Sequence, residues 1–269
     1  MNRLHPRGIL CLLATLWAGV FIVMAGAAPE DPAPEPNSKS GGGEPELLVE
    51  KILEARGGLE GFGRLLEVRR YGTLILATAE GEISHSVRIT VRPPDRMTIE
   101  TGEGAELSRR VLGPGEAYQS SGDQEPVEMD REAAEHLRHL MLVDEAFLPR
   151  NVLGGLLQAR GVEPAGPGQV PAGLPAAGGL AVLIEDPAEL RYRLVIPDQG
   201  GLPLRVDYQS SGADGEKRNV SDVFGAWGEV DGLLFPFEIM LFEGGQGRVM
   251  VRYERIEIDL APAPPDPAR

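Results

Sequence analysis

Three side chains near the middle of the chain have the spacing of a metal site. Glu132, His136 and His139 are four and three residues apart, which places them on one flank of a helix. Two imidazoles and a carboxylate are ligands that zinc accepts. The same flank is more often solvated, with Glu132 and His136 as an i,i+4 pair that contributes roughly 0.3 kcal/mol. We therefore predict no bound metal.

Other reactive residue types do not combine into a catalytic pattern. Ser84 and His85 stand at the start of a predicted strand, and no serine lies in the sharp turn motif of a hydrolase nucleophile. Carboxylates are so abundant that a pair at glycosidase separation would arise by chance. Trp227 precedes a glycine turn and is typical of a core or rim aromatic. We predict that the protein is not an enzyme and needs no cofactor.

The N-terminal segment has the features of a secretory signal. A short basic region precedes an almost wholly apolar run from Ile9 to Val23, and residues 25–27 are the small residues of a cleavage site. The run is slightly shorter than the ~20 residues of a membrane span, so an uncleaved anchor is the alternative. Cys11, the single cysteine, lies inside the run. Cleavage would leave a mature chain without disulfides or thiolate ligands.

The rest of the chain divides into a tether, one domain and a tail. Residues 28–44 are rich in Pro, Ser and Gly and residues 261–269 in Pro, compositions that cannot bury enough apolar surface to fold. Residues 45–260 have the length of one barrel or sandwich domain. The formal net charge of −15 argues against binding to nucleic acid, whose phosphates require a basic surface.

Three segments have helical periodicity. The first begins near Pro45 and ends at Gly57 and Gly58, and we expect a second short helical turn in residues 59–66. The second begins after Asp130, a good N-cap, and the third covers residues 150–157 after Pro149. Residues 161–179 are mostly Gly, Pro and Ala and predict a loop. The central helix has an apolar stripe made of Ala133, Ala134, Leu137, Leu140 and Met141.

About ten segments alternate with a period of two and are separated by short turns. The clearest runs from Leu233 to Leu241, after the tight-turn pair Asp231 and Gly232. The last strand changes phase near Glu254 or Arg255, which predicts a bulge. Short turns imply antiparallel neighbours, and so many strands must curl or split. We predict a mainly β (α+β) fold: a curled, half-open antiparallel barrel with an N-terminal helix and a helical lid.

Two stretches of the sequence resemble the superfamily of the lipoprotein carrier LolA and its outer-membrane receptor LolB. The first is the helix end Ala55-Arg56-Gly57-Gly58, followed by Leu65-Leu66-Glu67-Val68 and a strand with Gly72 at its centre. The second is Gly201-Leu202-Pro203-Leu204-Arg205-Val206, followed by the run from Phe224 to Pro236 that contains Val-Asp-Gly. The resemblance implies an unclosed antiparallel barrel in which a helical lid covers an apolar cavity.

The resemblance also implies a function in the cell envelope. Carriers of the superfamily hold lipoprotein acyl chains, so we expect a periplasmic, monomeric carrier of lipid or lipoprotein acyl chains, secreted across the inner membrane. The alternative is a regulatory or scaffold protein that uses the same fold to bind an envelope protein. The predicted cavity residues are Leu74, Leu76, Val87, Ile89, Val91, Met97, Ile99, Leu137, Leu140, Met141, Leu194, Leu204, Val206, Phe235, Phe237 and Ile239.

Overall fold

The computed structural model describes residues 44–78, 81–165, 179–197, 201–211, 217–244 and 246–262. The predicted signal, most of the tether and most of the tail lie outside these residues. The helices are α1 (Glu44–Ala55), α2 (Leu59–Arg64), α3 (Arg131–Leu142) and α4 (Leu148–Leu153), with one 3-10 turn at Gly104–Glu106. The strands are β1 (Leu65–Thr78), β2 (Gly81–Arg92), β3 (Arg96–Thr101), β4 (Ser108–Gly113), β5 (Glu116–Ser121), β6 (Val127–Glu128), β7 (Gln158–Ala165), β8 (Gly179–Glu185), β9 (Arg191–Pro197), β10 (Arg205–Ser211), β11 (Lys217–Val230), β12 (Leu233–Glu243) and β13 (Gln246–Leu260).

The described strands form one antiparallel sheet of thirteen strands. Their order is β6-β5-β4-β3-β2-β1-β13-β12-β11-β10-β9-β8-β7, so β1 and β13 are the one pair of neighbouring strands that are not consecutive in sequence. In the described part of the chain, β6 and β7 are the two edges and do not pair with each other. The predicted mainly β, antiparallel and unclosed sheet is thereby confirmed.

The predicted number of about ten strands was too low, and the two strands missed are the two edges. Strand β6 has two residues, both exposed, and therefore carries no alternating pattern. Strand β7 contains Gly161 and Pro164, and the prediction assigned residues from 161 onward to a loop. Edge strands pair on one side only and tolerate such residues, so their sequences carry a weak signal.

The sheet curves around α3. Met97 of β3 and Tyr192 of β9 line the same cavity, although seven strand spacings separate these strands. In a flat sheet that separation would be about 34 Å, because neighbouring strands lie ~4.8 Å apart. A helix of twelve residues is only about 18 Å long. The concave face must therefore bend towards the helix.

Helix α3 begins where the sequence predicted. The Asp130 side chain accepts a hydrogen bond from the Ala133 backbone N–H at 2.8 Å, which is a regular N-cap. Its apolar stripe faces the sheet, and Leu137 and Met141 are buried. The helix ends at Leu142, and the loop that follows carries Asp144 into the interior.

Two local features fix the register of the central strands. Asp231 and Gly232 have φ values of 49° and 82°, so the β11–β12 connection is a two-residue turn with both residues in the left-handed region. Glu254 has no partner where the β1–β13 register steps from Tyr71–Arg255 to Gly72–Tyr253. Both the turn and the bulge confirm the prediction, and they keep the apolar rows on the concave face.

The core consists of two large apolar clusters. The first lies between α3 and the centre of the sheet and includes Leu74, Val91 and Phe235. The second lies between α1, α4 and the β8–β10 end of the sheet. Leu153 of α4 packs against both clusters and joins them. The N-terminal helix therefore covers one end of the sheet, while α3 covers its centre.

Candidate functional site

A cavity of about 400 Å³ lies between α3 and the concave face of the sheet. Ligand sites in proteins are typically ~300–1,000 Å³, so its size is that of a binding site. The wall has two chemically different parts. One part is apolar and comes mainly from the central strands, with Ile89, Met97, Ile239, Leu241, Val249 and Val251. The other is polar, with Arg70, His136, His139, Glu145, Tyr208 and Asp222.

Arg70 lies at the centre of a buried charge cluster. Its guanidinium donates two hydrogen bonds of 2.8 Å to the Asp144 carboxylate and contacts both oxygens of Glu145 at 2.7 Å. Only 1% of Arg70 is exposed. Burial raises the pKa of Glu145 to about 7, although the charge of Arg70 acts to lower it. The cluster ties β1 to the loop after α3 and leaves Glu145 close to titration at neutral pH.

A second buried arginine braces the same loop from the other side. Arg56, just after α1, donates a hydrogen bond of 2.5 Å to the Glu145 carbonyl and one of 3.1 Å to the Leu234 carbonyl. Its guanidinium lies 4.7 Å from the centre of the Phe62 ring and 5.2 Å from that of Trp227. Burial lowers the pKa of Arg56 to about 10, so it stays charged at neutral pH. Trp227 thus has a packing role beside an arginine.

His139 connects α3 to the β8–β9 hairpin. Its Nδ1 lies 2.9 Å from the Asp186 carboxylate, and the hydroxyl of Tyr192 contacts the same ring. Asp186 is itself fixed by the backbone N–H groups of Ala188 and Leu190. Burial lowers the pKa of His139, and Asp186 partly opposes this. The row of three side chains can hold a proton between them, and it anchors the last turn of the helix.

The histidine flank of α3 faces the cavity, which corrects the expectation of a solvated flank. Burial lowers the pKa of His136 to about 4, so the ring is neutral at physiological pH. The Glu132 side chain lies outside the described part of the structure. Among the described residues no group of three His, Cys, Asp or Glu has the geometry of a metal site. The flank therefore supplies polar lining to the cavity.

Asp222 is a carboxylate whose burial is poorly compensated by hydrogen bonds or opposite charge. It lies on β11, opposite Val206 of β10 and Leu241 of β12. Its Oδ2 accepts a long hydrogen bond of 3.4 Å from the Tyr208 hydroxyl, and its buried Oδ1 has no partner among the described residues. Burial raises the pKa of Asp222 to about 7, Tyr208 acts to lower it, and the nearby Asp207 adds to the rise.

The sequence matches no protein-family model and no curated protein. Solved structures do match. A LolA superfamily protein from Nitrosomonas europaea aligns with a TM-score of 0.51 and 10% identity, over 81% of this chain and 94% of that one. The chain has the LolA fold. At 10% identity the likeness concerns the fold alone.

Two other structures align over similar lengths with lower scores. A domain assigned to outer membrane lipoprotein sorting from Vibrio parahaemolyticus has a TM-score of 0.49 and 7% identity, over 79% of this chain and 91% of that one. A DUF1329 family protein from Desulfovibrio piger has a TM-score of 0.44 and 10% identity, over 81% and 93%. The assignment of the LolA fold rests on the Nitrosomonas europaea protein.

The sixteen predicted cavity residues lie partly in the cavity wall and partly in the packed core. Five line the cavity: Ile89, Met97, Leu140, Val206 and Ile239. Leu194 belongs to the second cluster, and Leu204 is half-buried just before β10. The other nine pack in the first cluster: Leu74, Leu76, Val87, Val91, Ile99, Leu137, Met141, Phe235 and Phe237. Contact of any of them with a ligand stays a prediction.

The polar wall of the cavity is what the sequence interpretation missed. Arg70 and Asp222 both occupy inward positions of alternating strands. Asp222 has a large apolar residue two positions away on each side, and Arg70 has one on one side. A charged residue at an inward position of a strand is rare unless it is paired or functional. That departure from the pattern was visible in the sequence, and it marks the polar lining of the cavity. Within the described residues no helix is long and apolar enough to cross a membrane.

Proposed function

We propose that this protein is a periplasmic binding protein or carrier of the cell envelope that holds an apolar ligand, with lipid or lipoprotein acyl chains as the first candidates. In this proposal the curled sheet acts as a half-open barrel and α3 as its lid. The observation that supports it is the cavity of about 400 Å³ that remains beneath α3 after both clusters have packed. A closed core would have left no space for an acyl chain.

The apolar wall supplies enough binding free energy for weak capture of an acyl chain. Each buried methylene contributes ~0.8 kcal/mol, so ten of them contribute roughly 8 kcal/mol. Association costs at least about 4 kcal/mol in lost freedom. The difference is at most about 4 kcal/mol, which corresponds to a dissociation constant of about 1 mM or higher, so an acyl chain needs either further length or polar contacts. Such reversible affinity suits a carrier that must release its cargo.

A cavity-filling variant tests the proposal. Leu241 lines the cavity from β12, and Leu241→Trp places an indole in the space that the ligand would occupy. We expect at least about a tenfold loss of affinity for the neutral fluorescent probe N-phenyl-1-naphthylamine, since part of its apolar surface can no longer be buried in the cavity. The probe affinity is measured by fluorescence titration, and a C16 fatty alcohol then displaces the probe.

Met240→Trp is the matched control. Met240 is the preceding residue of β12, so its side chain points to the other face of the sheet, and it does not line the cavity. This variant should bind the probe as the wild type does. Absence of probe binding by the wild type, or equal binding by all three proteins, would contradict the proposal.

Secretion is the second part of the proposal. Removal of residues 1–27 would leave the domain 45–260 between the tether 28–44 and the tail 261–269. Native mass spectrometry of protein purified from a bacterial envelope measures three properties together: the start of the mature chain, its monomeric state and any co-purified lipid. A mass that retains residues 1–27 would favour the membrane-anchored alternative.

A further inference from the structure

The cavity carries more polar groups than an acyl chain requires. Tyr192, Tyr208 and Asp222 bring oxygen atoms to its wall from three adjacent strands, β9, β10 and β11. Most of the apolar wall comes from β2, β3, β12 and β13, on the other side of β11, where Arg70 of β1 is already paired with Asp144 and Glu145. Buried polar atoms are costly unless they form hydrogen bonds. The two-part wall therefore fits an amphiphile whose tail and head lie on different strands.

Asp222 is the polar group in this wall that most clearly lacks a partner. Its buried Oδ1 accepts no hydrogen bond from the described residues, and Oδ2 receives only the long bond from Tyr208. Among the described residues, burial, Tyr208 and Asp207 are what shift the pKa of its carboxyl group, and no lysine or arginine contributes. A buried acceptor without a donor costs about 1–3 kcal/mol, more when it is charged. A ligand that supplies an N–H or O–H would remove this cost.

The charge of the wall disfavours an anionic head. Arg70 is the one lysine or arginine among the described lining residues, and it already pairs with Asp144 and Glu145. Asp222 adds a third carboxyl group, and His136 and His139, whose pKa values burial lowers, supply no positive charge at neutral or alkaline pH. A second carboxylate or a phosphate beside Asp222 would meet like charge in a poorly solvated space.

We infer that Asp222 forms a head-group subsite in this cavity, which recognises amphiphiles that donate a hydrogen bond through an uncharged or cationic head, such as an amide, a hydroxyl or an amine, and discriminates against anionic heads. The inference rests on the proposed function, since it assumes that the apolar wall holds the tail. Tyr208 positions the carboxylate through its hydroxyl, and Leu241 and Val206 flank it on the neighbouring strands.

Ligands of one chain length and different heads test the subsite. Decanamide, methyl decanoate and decanoate compete with N-phenyl-1-naphthylamine at pH 8.5, above the pKa of about 7 of Asp222, where the carboxylate can only accept hydrogen bonds. Decanamide and methyl decanoate are both neutral, so the net charge of −15 does not bias their comparison. We expect decanamide to displace the probe at about tenfold lower concentration than methyl decanoate, and decanoate to be the weakest.

Two variants separate the subsite from the cavity. Asp222→Leu removes the acceptor and should equalise decanamide and methyl decanoate while probe binding persists. Asp222→Asn keeps the shape and an acceptor oxygen but loses the charge, so decanamide should keep its advantage over methyl decanoate while decanoate binds more tightly than it does to the wild type. Glu229→Leu is the control, because Glu229 is exposed on the same strand and does not line the cavity. It should leave the order of the three ligands unchanged.

The outcomes distinguish the subsite from the carrier function. A wild-type protein that binds the probe but shows no preference for decanamide overturns the subsite and leaves the carrier function intact. The same holds if the preference survives in Asp222→Leu. A wild-type protein that does not bind the probe overturns the carrier function, and the subsite with it. The ranking on the wild type decides even if a variant does not fold.

Discussion

Arg70 is the residue on which the interior charge balance depends. It is 1% exposed and is bound by two carboxylates, Asp144 and Glu145, that have little access to water. A buried pair is weak evidence for net stability, but removal of one partner leaves an uncompensated charge and typically costs ~3–5 kcal/mol. We expect Arg70→Met to lower the free energy of unfolding by about that amount, as measured by urea denaturation at pH 7.

Arg69→Met is the matched control for this prediction. Arg69 is the adjacent residue on the opposite face of β1, where it forms ion pairs with Glu67 and Asp259 that are partly exposed to solvent. Surface pairs of this kind contribute ~0–1 kcal/mol. Equal losses of stability in the two variants would show that the buried position of Arg70 does not increase the cost of its removal.

At the residue scale, the sequence predicts which positions face inward better than it predicts the roles of the residues at those positions. Alternation correctly placed Leu74, Leu76 and Ile239 on the concave side. The same alternation placed Arg70 and Asp222 there, whereas the prediction named only apolar residues as cavity lining. Pairing partners such as Asp144 lie 74 residues away in sequence, and a distance of that kind cannot be read from local periodicity.

Helix α3 is the element whose position decides whether the cavity exists. It has one side-chain cap, in which Asp130 accepts a hydrogen bond from the Ala133 backbone at 2.8 Å. Loss of an N-cap costs ~1 kcal/mol. We expect Asp130→Ala to lower the stability of the first turn of α3, so that its amide hydrogens exchange about five times faster while those of β1 and β13 are unaffected. Hydrogen exchange with mass spectrometry measures both.

The conservative variant Asp130→Ser keeps an acceptor at the cap and should restore the slow exchange. Release of N-phenyl-1-naphthylamine from a pre-formed complex should also be faster in Asp130→Ala than in Asp130→Ser, if α3 moves to let the probe leave. Unchanged exchange in α3 after loss of the cap would mean that packing of its own side chains, such as Ala134 and Leu137, in the first cluster is enough to fix the first turn.

At the element scale, signals that depend on local backbone chemistry were predicted well. The Asp231–Gly232 turn requires two residues with positive φ, and this pair is well suited to it. The bulge at Glu254 follows from a change of phase within one strand. Strands β6 and β7 were missed because an edge strand needs neither continuous alternation nor the absence of Gly and Pro. The Gly- and Pro-rich segment 166–178 lies outside the described residues.

At the scale of the whole molecule, the decisive property is that two clusters pack without filling the space between them. The curvature that encloses the cavity is a sum of small twists over eight strands from β3 to β9, and no single residue determines it. Sequence patterns therefore predict the unclosed sheet and the helix over it. The size of the space and the mixture of groups around it depend on that summed curvature, which lies beyond local patterns.

The pH dependence of stability depends on several cavity residues together, because the buried acids and the buried histidines change stability with pH in opposite directions. Glu145 and Asp222 have pKa values raised from 4.5 and 3.8 to about 7, so between pH 4 and 7 the folded state binds more protons than the unfolded state. Through them, stability falls as pH rises over this range. His136, with its pKa lowered from 6.5 to about 4, and His139, with a lowered pKa, act in the opposite sense below pH 6.5.

The histidines partly offset the acids between pH 4.5 and 6.5, and their effect fades above pH 6.5, the ordinary pKa of a histidine. We therefore expect the free energy of unfolding to fall more steeply between pH 6.5 and 7.5 than between pH 4.5 and 6.5, when measured by urea denaturation at half-unit steps. The double variant Glu145→Gln, Asp222→Asn should abolish the fall and expose the rise from the histidines between pH 4.5 and 6.5. Glu229→Gln, which removes an exposed carboxylate from β11, should keep the wild-type profile. A wild-type stability that increases steadily from pH 5 to 8 would contradict the assignment of Glu145 and Asp222 as acids that the fold keeps partly protonated at neutral pH.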